Sequence, residues 1–406
     1  MRVLHVVKTS DGAWWAANQA AELVRRGVEV HVALPSAKGL ALPYWVGAAA
    51  QIHVVDLDFP AKAPWKLPSV CRAARQLVAA LQPDVIHSHF FGTTMVLRRA
   101  LRGQFAGPIV FQVAGPLHLE HGLYRTWDIR SARPNDYWIA SSPCIVKRYL
   151  NAGVPHCRLF LSYYGENLPS TVSERCGVLR NRLGITANQL VVGNISWMYA
   201  PKYYLGQRVG VKCHEDLIDG LGIVTSQRAD VTGVLVGGQW GGGKKYERSL
   251  CARAKKRGSK ILLTGFMPKQ DVHRAWADFD CGVHVPLSEN CGGVVEPLAA
   301  GVPTIAGRVG GLPEVVMDGI SGKTVGIRDP MELASTIIEV LHDLGRYRKL
   351  AITGQQLVRT MFDVRRTAAE VFQVYHHILD PSVLRPTDFD SARCAEAIAN
   401  GRPACA

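Results

Sequence analysis

The sequence contains no apolar run long enough to cross a bilayer as a helix. Aromatic residues make up only 8% of the chain, and acidic residues are also few: 33 Asp and Glu against 47 Lys and Arg, for a formal net charge of +14. A hydrophobic content of 48% with 20% charged residues is typical of a folded globular protein and excludes a disordered one. The first apolar run, residues 2–7, is too short for a signal peptide. We therefore expect a cytoplasmic protein whose 406 residues form two domains.

The ten cysteines form no Cys-x-x-Cys pair and no Cys/His cluster at metal-binding spacing. We expect them to be reduced thiols in the core. The excess positive charge favours polyanionic partners, among them nucleic acid, anionic lipid and nucleotide-sugars. Residues 1–165 hold 18 Lys and Arg against 9 Asp and Glu, so much of the excess lies in the first half. Because the chain has no recognisable nucleic-acid-binding motif, we expect no nucleic-acid partner.

Short apolar strands alternate with helical patterns along the chain, which predicts parallel sheets with helices on both faces. Strands are predicted at 2–7, 28–34, 52–55, 84–88, 109–113, 137–140, 159–163, 190–196, 231–237, 261–264, 280–285 and 303–306. Helices are predicted at 13–26, 68–81, 92–101, 142–151, 213–226, 244–256, 270–277, 294–300, 311–316, 330–344 and 355–379. The pattern restarts after Pro169, Ser170 and Thr171, which precede a charged helix. We predict domains over 1–170 and 171–360, a helix within 361–380 and a loosely attached polar tail over 381–406.

The most informative segment spans residues 288–303, which follow a predicted strand and contain the predicted helix 294–300. Its adjacent Gly292 and Gly293 open the helix, so their backbone N–H groups and the helix dipole could hold an anion. Glu296 follows within about one turn, where a carboxylate could bind a ribose hydroxyl. This pattern predicts a site for a nucleotide diphosphate, with an ordinary strand–turn–helix unit as the alternative.

Several further segments resemble, in order and spacing, motifs of the retaining glycosyltransferases of family 4. They are Asp84 to His89, Asp136 to Ser142, Gly193 to Ser196, Val211 to Leu217, Gly265 to Pro268 and Gly310 to Gly319. The resemblance covers about residues 1–380. It implies an α/β protein of the GT-B fold, in which two Rossmann-like, doubly wound domains face each other across a cleft. The first domain would bind the acceptor, the second would bind a UDP-sugar, and the C-terminal helix would return to the first.

A closer resemblance concerns the loop 289–293 and the segment 199–210. Both segments resemble parts of actinomycete enzymes that glycosylate aminoglycoside antibiotics. This resemblance implies a small polar acceptor, an aminocyclitol pseudosaccharide.

The resemblance implies site residues, which we assign position by position. The catalytic candidates are His118, Arg208, Lys212 and Glu289. The donor-binding candidates are Gly12, Gly265, Met267, Gly292, Gly293, Val294 and Glu296. The acceptor-binding candidates are Asp11, Trp14 and Glu120, with Asp128 as a further acid for a cationic acceptor. Trp14 and Trp15 could form a wall for the acceptor or could equally be core residues.

The chain departs from the family pattern at several of these positions. The two glutamates of the family motif are separated here by six residues instead of seven, so strict counting would select Ser288 in place of Glu289. Asn194 occupies the position of a family arginine, and Arg208 is the proposed replacement. Ala114 occupies the position of a family histidine, which makes His118 the candidate.

Sugar transfer from a nucleotide-sugar builds negative charge on the departing diphosphate. Many glycosyltransferases balance this charge with a metal held by an Asp-x-Asp motif. The run Asp56-Leu57-Asp58 lies on an early loop, away from the donor motifs. We therefore predict no metal and no cofactor, with cations and a helix N-terminus in the metal's place.

Two alternative functions stay open from the sequence. A surface formed by Lys62, Trp65, Lys66, Arg72 and Arg75 could lie on anionic lipid, in which case the acceptor would be lipid-linked or a polysaccharide. An ordinary solvated helix explains the same residues and is favoured. The same fold also serves nucleotide-sugar epimerases, or could act as a binding module without turnover.

Overall fold

The computed structural model describes residues 1–168, 175 and 177–403. The chain divides into two compact units. The first comprises Met1–Asn167 and Met361–Phe389, and the second comprises Leu168–Thr360 and Asp390–Ala406. The residues that suggested the domain boundary, Pro169 to Thr171, lie outside the described residues.

A seven-stranded sheet forms the centre of the first unit, and all its neighbouring strands are parallel. Its strands are β1 (Arg2–Val6), β2 (Glu29–Leu34), β3 (Gln51–Val54), β4 (Val85–Ser88), β5 (Ile109–Val113), β6 (Asp136–Ala140) and β7 (Leu159–Leu161). Their order is β3-β2-β1-β4-β5-β6-β7. The winding direction reverses between β1 and β4, so ligands are expected at the carboxyl ends of these two strands.

Seven helices accompany this sheet within the described residues. They are α1 (Trp14–Arg25), α2 (Leu42–Gly47), α3 (Leu67–Leu81), α4 (Phe91–Ala100), α5 (Gly122–Ser131), α6 (Pro143–Asn151) and α14 (Val364–Leu379). Helix α14 comes from the far end of the chain and packs on α1. Its buried residues Val371, Val374 and Tyr375 join the core that α1, β1 and β2 form.

The second unit contains a six-stranded parallel sheet. Its strands are β8 (Leu190–Ile195), β9 (Val231–Val236), β10 (Ile261–Leu263), β11 (Cys281–His284), β12 (Thr304–Gly307) and β13 (Lys323–Val325). Their order is β10-β9-β8-β11-β12-β13, which reverses between β8 and β11. The strands are almost wholly buried because helices cover both faces, and this explains their continuous apolar runs.

The helices of the second unit also follow the alternating pattern. They are α7 (Val178–Leu183), α8 (His214–Gln227), α9 (Lys245–Arg257), α10 (Lys269–Trp276), α11 (Gly292–Ala299), α12 (Pro330–His342), α13 (Leu344–Met361) and α15 (Ser391–Ala399). Helix α12 packs on α8. No helix in the described part of the chain combines the length and apolar character that a bilayer span requires.

The structure corrects several predicted elements. Helices α2 and α5 and strand β13 were not predicted. The predicted helix 311–316 is only a 3-10 turn over Leu312–Glu314. The predicted helix 355–379 is two helices, because the Asp363 side chain accepts a hydrogen bond from Arg365 N and begins α14 afresh. The tail is not uniformly loose, since α15 buries Cys394 and Ala395.

Candidate functional site

The glycine-rich loop of the second unit leads from the carboxyl end of β11 into α11, which begins at Gly292. The first N–H groups of a helix have no partner within it, so this turn presents donors and a positive dipole end. Val294 is buried beneath the turn. The loop lies at the point where the sheet reverses direction, which is where such folds bind ligands.

Lys212, Glu289 and His284 form a half-buried charged group beside this loop. The Lys212 ammonium donates to Glu289 Oε2, and the His284 Nε2–Glu289 Oε2 distance is 3.0 Å. Burial alone would raise the pKa of the Glu289 carboxyl, but Lys212 and His284 outweigh it and hold that pKa well below its ordinary value. Glu289 is therefore a fixed carboxylate with known partners, whereas Ser288 has no part in this group.

The tautomer of His284 follows from its second neighbour. Asn194 Nδ2 lies 2.8 Å from Val283 O and 3.1 Å from His284 Nδ1. Since the amide nitrogen can only donate, Nδ1 accepts, and the protonated Nε2 donates its hydrogen bond to Glu289 Oε2. Burial lowers the pKa of His284 and keeps the ring neutral. His284 was not predicted as a site residue, although a histidine at the carboxyl end of a predicted strand, just before the glycine loop, could have indicated it.

Two glycines are required where the loop packs closely. A Cβ on Gly293 would lie 2.0 Å from His284 Nε2, and a Cβ on Gly310 would lie 1.7 Å from the Glu289 carbonyl oxygen. Gly310 also has a φ of 58°, which disfavours side chains. Gly292 differs, because a Cβ there would meet nothing within 4 Å.

The other donor candidates are spread over the same unit. Glu296 lies in the second turn of α11, where burial raises its pKa while nearby Lys269 opposes that rise. Gly265 follows β10 with a φ of 75°, and its carbonyl accepts from Gly237 N at 3.0 Å. The Met267 side chain packs against the core. Arg208 is exposed, and in the described part of the chain no ion pair or hydrogen bond links its side chain to Lys212 or Glu289.

An aromatic group, which the sequence reasoning missed, lies at the carboxyl ends of β8, β9 and β10. The Trp197 ring stacks on Phe266 at a centroid distance of 5.3 Å and meets Trp240 edge-on at 5.1 Å. Phe266 is 48% exposed, so a flat ligand could still reach this face. The sequence could have indicated this group, because an aromatic residue follows shortly after the end of each of these three strands.

An Asp-x-Asp run also occurs at Asp278-Phe279-Asp280, and it was overlooked. Asp278 accepts from the backbone N–H groups of Gly177 and Leu179, and Asp280 pairs with Arg180 at 2.7 Å. The run lies at the amino end of β11, opposite the glycine loop. Its carboxylates anchor α7 to the sheet.

In the first unit, His118 is the best-defined site candidate. It ends the 3-10 turn Pro116–His118, its ring stacks on Phe91, and its Nε2 lies 3.2 Å from Asp128 Oδ2. Tyr149 also donates to Asp128, at 2.6 Å. Burial would raise the pKa of Asp128, but these donors and nearby Arg98 lower it to about 2. The carboxylate thus positions the His118 ring.

The acids proposed for a cationic acceptor are largely committed to other partners. Asp128 is fully buried among the donors just described, which corrects its assignment as an acceptor contact. Glu120 pairs with Arg148 at 3.3 Å. Asp11 is exposed and accepts a hydrogen bond from Leu40 N at 3.3 Å.

The start of α1 contains the remaining candidates. Gly12 is buried just before the helix, and Ala13 adopts a left-handed φ of 63°. Trp14 is half-buried, with its ring centroid 6.3 Å from that of Tyr44. Trp15 is half-buried: its ring packs against the core, with its centroid 3.9 Å from that of Tyr164.

A buried histidine cluster corrects the expectation that no such group exists. His5, His87 and His89 each place a ring nitrogen within 4.8 Å of the others. The neighbouring register of β1 and β4 brings them together, although 82 positions separate His5 from His87. His5 Nδ1 and His89 Nε2 lie 2.9 Å apart, and His87 contacts the Tyr375 hydroxyl. Some of the ring nitrogens thus have hydrogen-bond partners in each other and in the Tyr375 hydroxyl, without a bound ion.

Eight cysteines fall in the described residues, and none of them forms a disulfide with another of the eight. Five are buried as expected: Cys71, Cys213, Cys281, Cys291 and Cys394. Cys157 is exposed, which departs from the expectation of core thiols.

Comparison with known proteins yields two matching family models. Residues 12–165 match the model described as "Glycosyl transferase 4-like domain", and residues 202–357 match "Glycosyl transferases group 1". Together these matches span well over half of the chain.

Two curated relatives carry the same description, D-inositol 3-phosphate glycosyltransferase. The protein from Frankia alni is 31% identical over 163 residues, which are 39% of this chain and 40% of that protein. The protein from Nocardioides sp. is 25% identical over 355 residues, which are 80% of this chain and 75% of that protein. Among solved structures, Anabaena HepE in complex with UDP-glucose has a TM-score of 0.76 at 21% identity, covering 93% of this chain and 99% of that one. This structural likeness concerns the fold.

Proposed function

Because the chain belongs to the group 1 glycosyltransferases and has their GT-B fold, we propose that it transfers a sugar from a UDP-sugar to a small cyclitol. The observation that carries this proposal is the Lys212–Glu289–His284 group beside the first turn of α11. It combines a cation, a fixed carboxylate and free helix N–H donors where the sheet reverses direction.

The proposed chemistry needs charge stabilisation at the diphosphate. The bond between sugar C1 and the phosphate oxygen breaks, and negative charge grows on the leaving group. Lys212 and the N–H groups of Gly292 and Gly293 would receive that charge. A hydrogen bond to a charged group contributes about 1.5–3 kcal/mol, which corresponds to roughly ten- to a hundredfold in rate. Such donors are already oriented before the reaction begins, so they need not reorganise as the charge develops.

Retention of configuration is part of the proposal. The acceptor oxygen would form its bond to C1 on the face that the phosphate leaves, and the phosphate oxygen would take the acceptor proton. Glu289 already accepts from Lys212 and His284, so its proposed role is to hold a sugar hydroxyl. In the first unit, Asp128 fixes the ring of His118, whose proposed role is to hold a hydroxyl of a substrate.

The proposed contacts to the nucleoside use two other features of the second unit. Glu296 would accept from the ribose hydroxyls, and these donors would compensate a carboxylate that burial otherwise disfavours. The stacked Trp197 and Phe266 rings would support the uracil face. A Glu296→Gln variant tests the first contact by calorimetric titration with UDP, and undiminished affinity would contradict it.

The acceptor class rests on the relatives and on charge. Both relatives described above are named for an inositol phosphate, a cyclitol. Of the three acids considered for an amine-bearing aminocyclitol, Asp128 is fully buried and Glu120 is paired with Arg148, which leaves Asp11 as the exposed one. A phosphate-bearing cyclitol therefore has more support than the aminocyclitol pseudosaccharide expected from the sequence, and a role in antibiotic biosynthesis has correspondingly less.

The test combines a donor screen with an acceptor screen. Thermal unfolding with a panel of nucleotide-sugars identifies the donor, and mass spectrometry then follows products with inositol phosphates and with aminocyclitols. A product whose mass is the acceptor plus one sugar, formed only with both substrates, supports the proposal. UDP-sugar conversion without any acceptor would instead indicate an epimerase, and binding without turnover would indicate a binding module.

Metal independence is the second test. If Lys212 and the α11 N-terminus stabilise the leaving diphosphate, EDTA should leave the initial rate unchanged. Inhibition that added magnesium reverses would contradict this part of the proposal.

A further inference from the structure

A groove of about 920 Å³ runs along helices α3 and α4 in the first unit, and its lining extends to Trp127, the sequence neighbour of Asp128. Its lining includes Arg98, which is buried, and four further arginines: Arg72 and Arg75 from α3, Arg99 from α4 and Arg102 just after it. The sequence indicated only the α3 half of this face. The fold adds the second pair of arginines and gives the face a concave shape.

These four guanidinium groups carry charge that the protein itself does not neutralise. Within the described residues none of the four forms an ion pair or a side-chain hydrogen bond. Arg98, in the same groove, shows the contrast, because it is fully buried and pairs with Asp128 at 2.8 Å and Asp136 at 3.3 Å. Arg98 is thus neutralised within the fold, whereas the other four groove arginines are exposed or half-buried and have no acidic partner among the described residues.

Apolar side chains accompany the positive charge. Trp65, just before α3, is 74% exposed, and Trp127 on the opposite wall is 38% exposed. Leu67 and Met95 contribute to the lining. A tryptophan with a large exposed ring beside arginines is typical of surfaces that enter the headgroup region of a bilayer.

We propose that this groove, together with Trp65, docks the first unit on an anionic phospholipid surface. The guanidinium groups would contact lipid phosphates, and the Trp65 ring would enter the boundary between headgroups and acyl chains. The apolar lining favours lipid over double-stranded nucleic acid, because the sugar–phosphate backbone of a duplex would leave those side chains without a partner. The docking is independent of which acceptor the proposed transferase uses.

The test is flotation of the full chain with vesicles of two compositions. Phosphatidylcholine vesicles should bind little, whereas vesicles of equal parts phosphatidylcholine and phosphatidylglycerol should bind the protein at low salt and release it at high salt. Each basic residue near an anionic surface contributes about a fivefold factor. The triple variant Arg72→Ala/Arg99→Ala/Arg102→Ala should therefore lower the partition coefficient about a hundredfold.

A matched variant controls for total charge. Lys244→Ala/Lys255→Ala/Lys256→Ala removes three charges from exposed positions of the second unit and should leave most of the binding intact. Trp65→Ala should weaken binding equally at low and high salt. Equal losses in the two triple variants, or binding to the two vesicle types that does not differ, would overturn the proposal. Tighter binding to a DNA duplex than to anionic vesicles would assign the groove to nucleic acid and overturn it too.

Discussion

At the scale of single residues, the site depends on contacts that each side chain makes with a specific partner. Glu289 is useful because Lys212 and His284 hold it ionised and oriented. His284 can hold it only because Asn194 fixes the ring tautomer. Asn194 thus orients a histidine, and Lys212 is the nearby cation.

Replacement of Lys212 tests the role of this cation. Lys212→Ala should lower kcat/KM about ten- to a hundredfold, because it removes one charge-assisted contact to the leaving diphosphate. Lys212→Arg should recover part of the loss, since it restores the charge. Steady-state kinetics with the identified donor measures both, and Lys255→Ala on the surface is the control. Full activity of Lys212→Ala would remove the residue from the mechanism.

The two adjacent glycines offer a matched pair for the loop geometry. Gly293→Ala should lower both the melting temperature and the activity, because the new methyl group would meet His284 Nε2 at 2.0 Å. Gly292→Ala should be tolerated far better, since its methyl group meets nothing within 4 Å. Thermal unfolding of both variants measures the difference. Equal melting temperatures would contradict the close packing of the loop on His284.

At the scale of elements, the carboxyl ends of strands determine where the site residues lie. The glycine loop follows β11 and the aromatic group follows β8, β9 and β10. These positions come from the order of the sheet, β10-β9-β8-β11-β12-β13, and not from nearness in sequence.

The junction of α13 and α14 provides a test at this scale. Asp363 accepts from Arg365 N at 2.8 Å and begins α14, which then packs on α1. Asp363→Ala should lower the free energy of unfolding by about 1 kcal/mol through loss of this cap. Urea titration measures it, and Glu396→Ala, an exposed carboxylate within α15, is the control. A change no larger than the control's would mean that the cap is dispensable.

At the scale of the whole molecule, charge and burial set how stability responds to pH. Burial lowers the pKa of His5 to about 3 and lowers the pKa values of His87 and His89 well below the ordinary value. The folded protein therefore keeps these rings neutral where the unfolded chain protonates them. This difference makes the first unit less stable as the pH falls.

The expected pH response has a definite sign. Below the unfolded pKa of about 6.5 each such histidine lowers the free energy of unfolding by up to about 1.4 kcal/mol per pH unit, continuing toward the folded value of about 3 for His5. Urea unfolding between about pH 7.5 and about pH 5 measures this slope, because the range extends from above to below the histidine pKa of the unfolded chain. His5→Gln should make it shallower, whereas His156→Gln, at an exposed position, should not. A flat profile would show that the rings protonate in the folded state.

Much of the architecture was predictable from the sequence because parallel strands buried on both faces are continuous apolar runs. Twelve of the thirteen strands were predicted close to their observed bounds. Strand β13, Lys323–Val325, was missed because Val325 is its only apolar residue, whereas the equally short β7 and β10 are wholly apolar. Glycine-loop residues 292–293 were also predictable, since glycine pairs before a helix have a direct backbone explanation. Helix α5 was missed because its apolar face is weak, with only Asp128 buried.

Sequence alone determined the two-sheet α/β organisation, the positive charge and the glycine loop, because each depends only on local composition and periodicity. Only the tertiary structure decided which distant residues meet. It brought His284 and Asn194 to Glu289, united His5 with His87 and His89, withdrew Asp128 into the core and added Arg99 and Arg102 to the α3 face. The physical reason is that strand order and register set these distances, and neither is expressed in the spacing of residues along the chain.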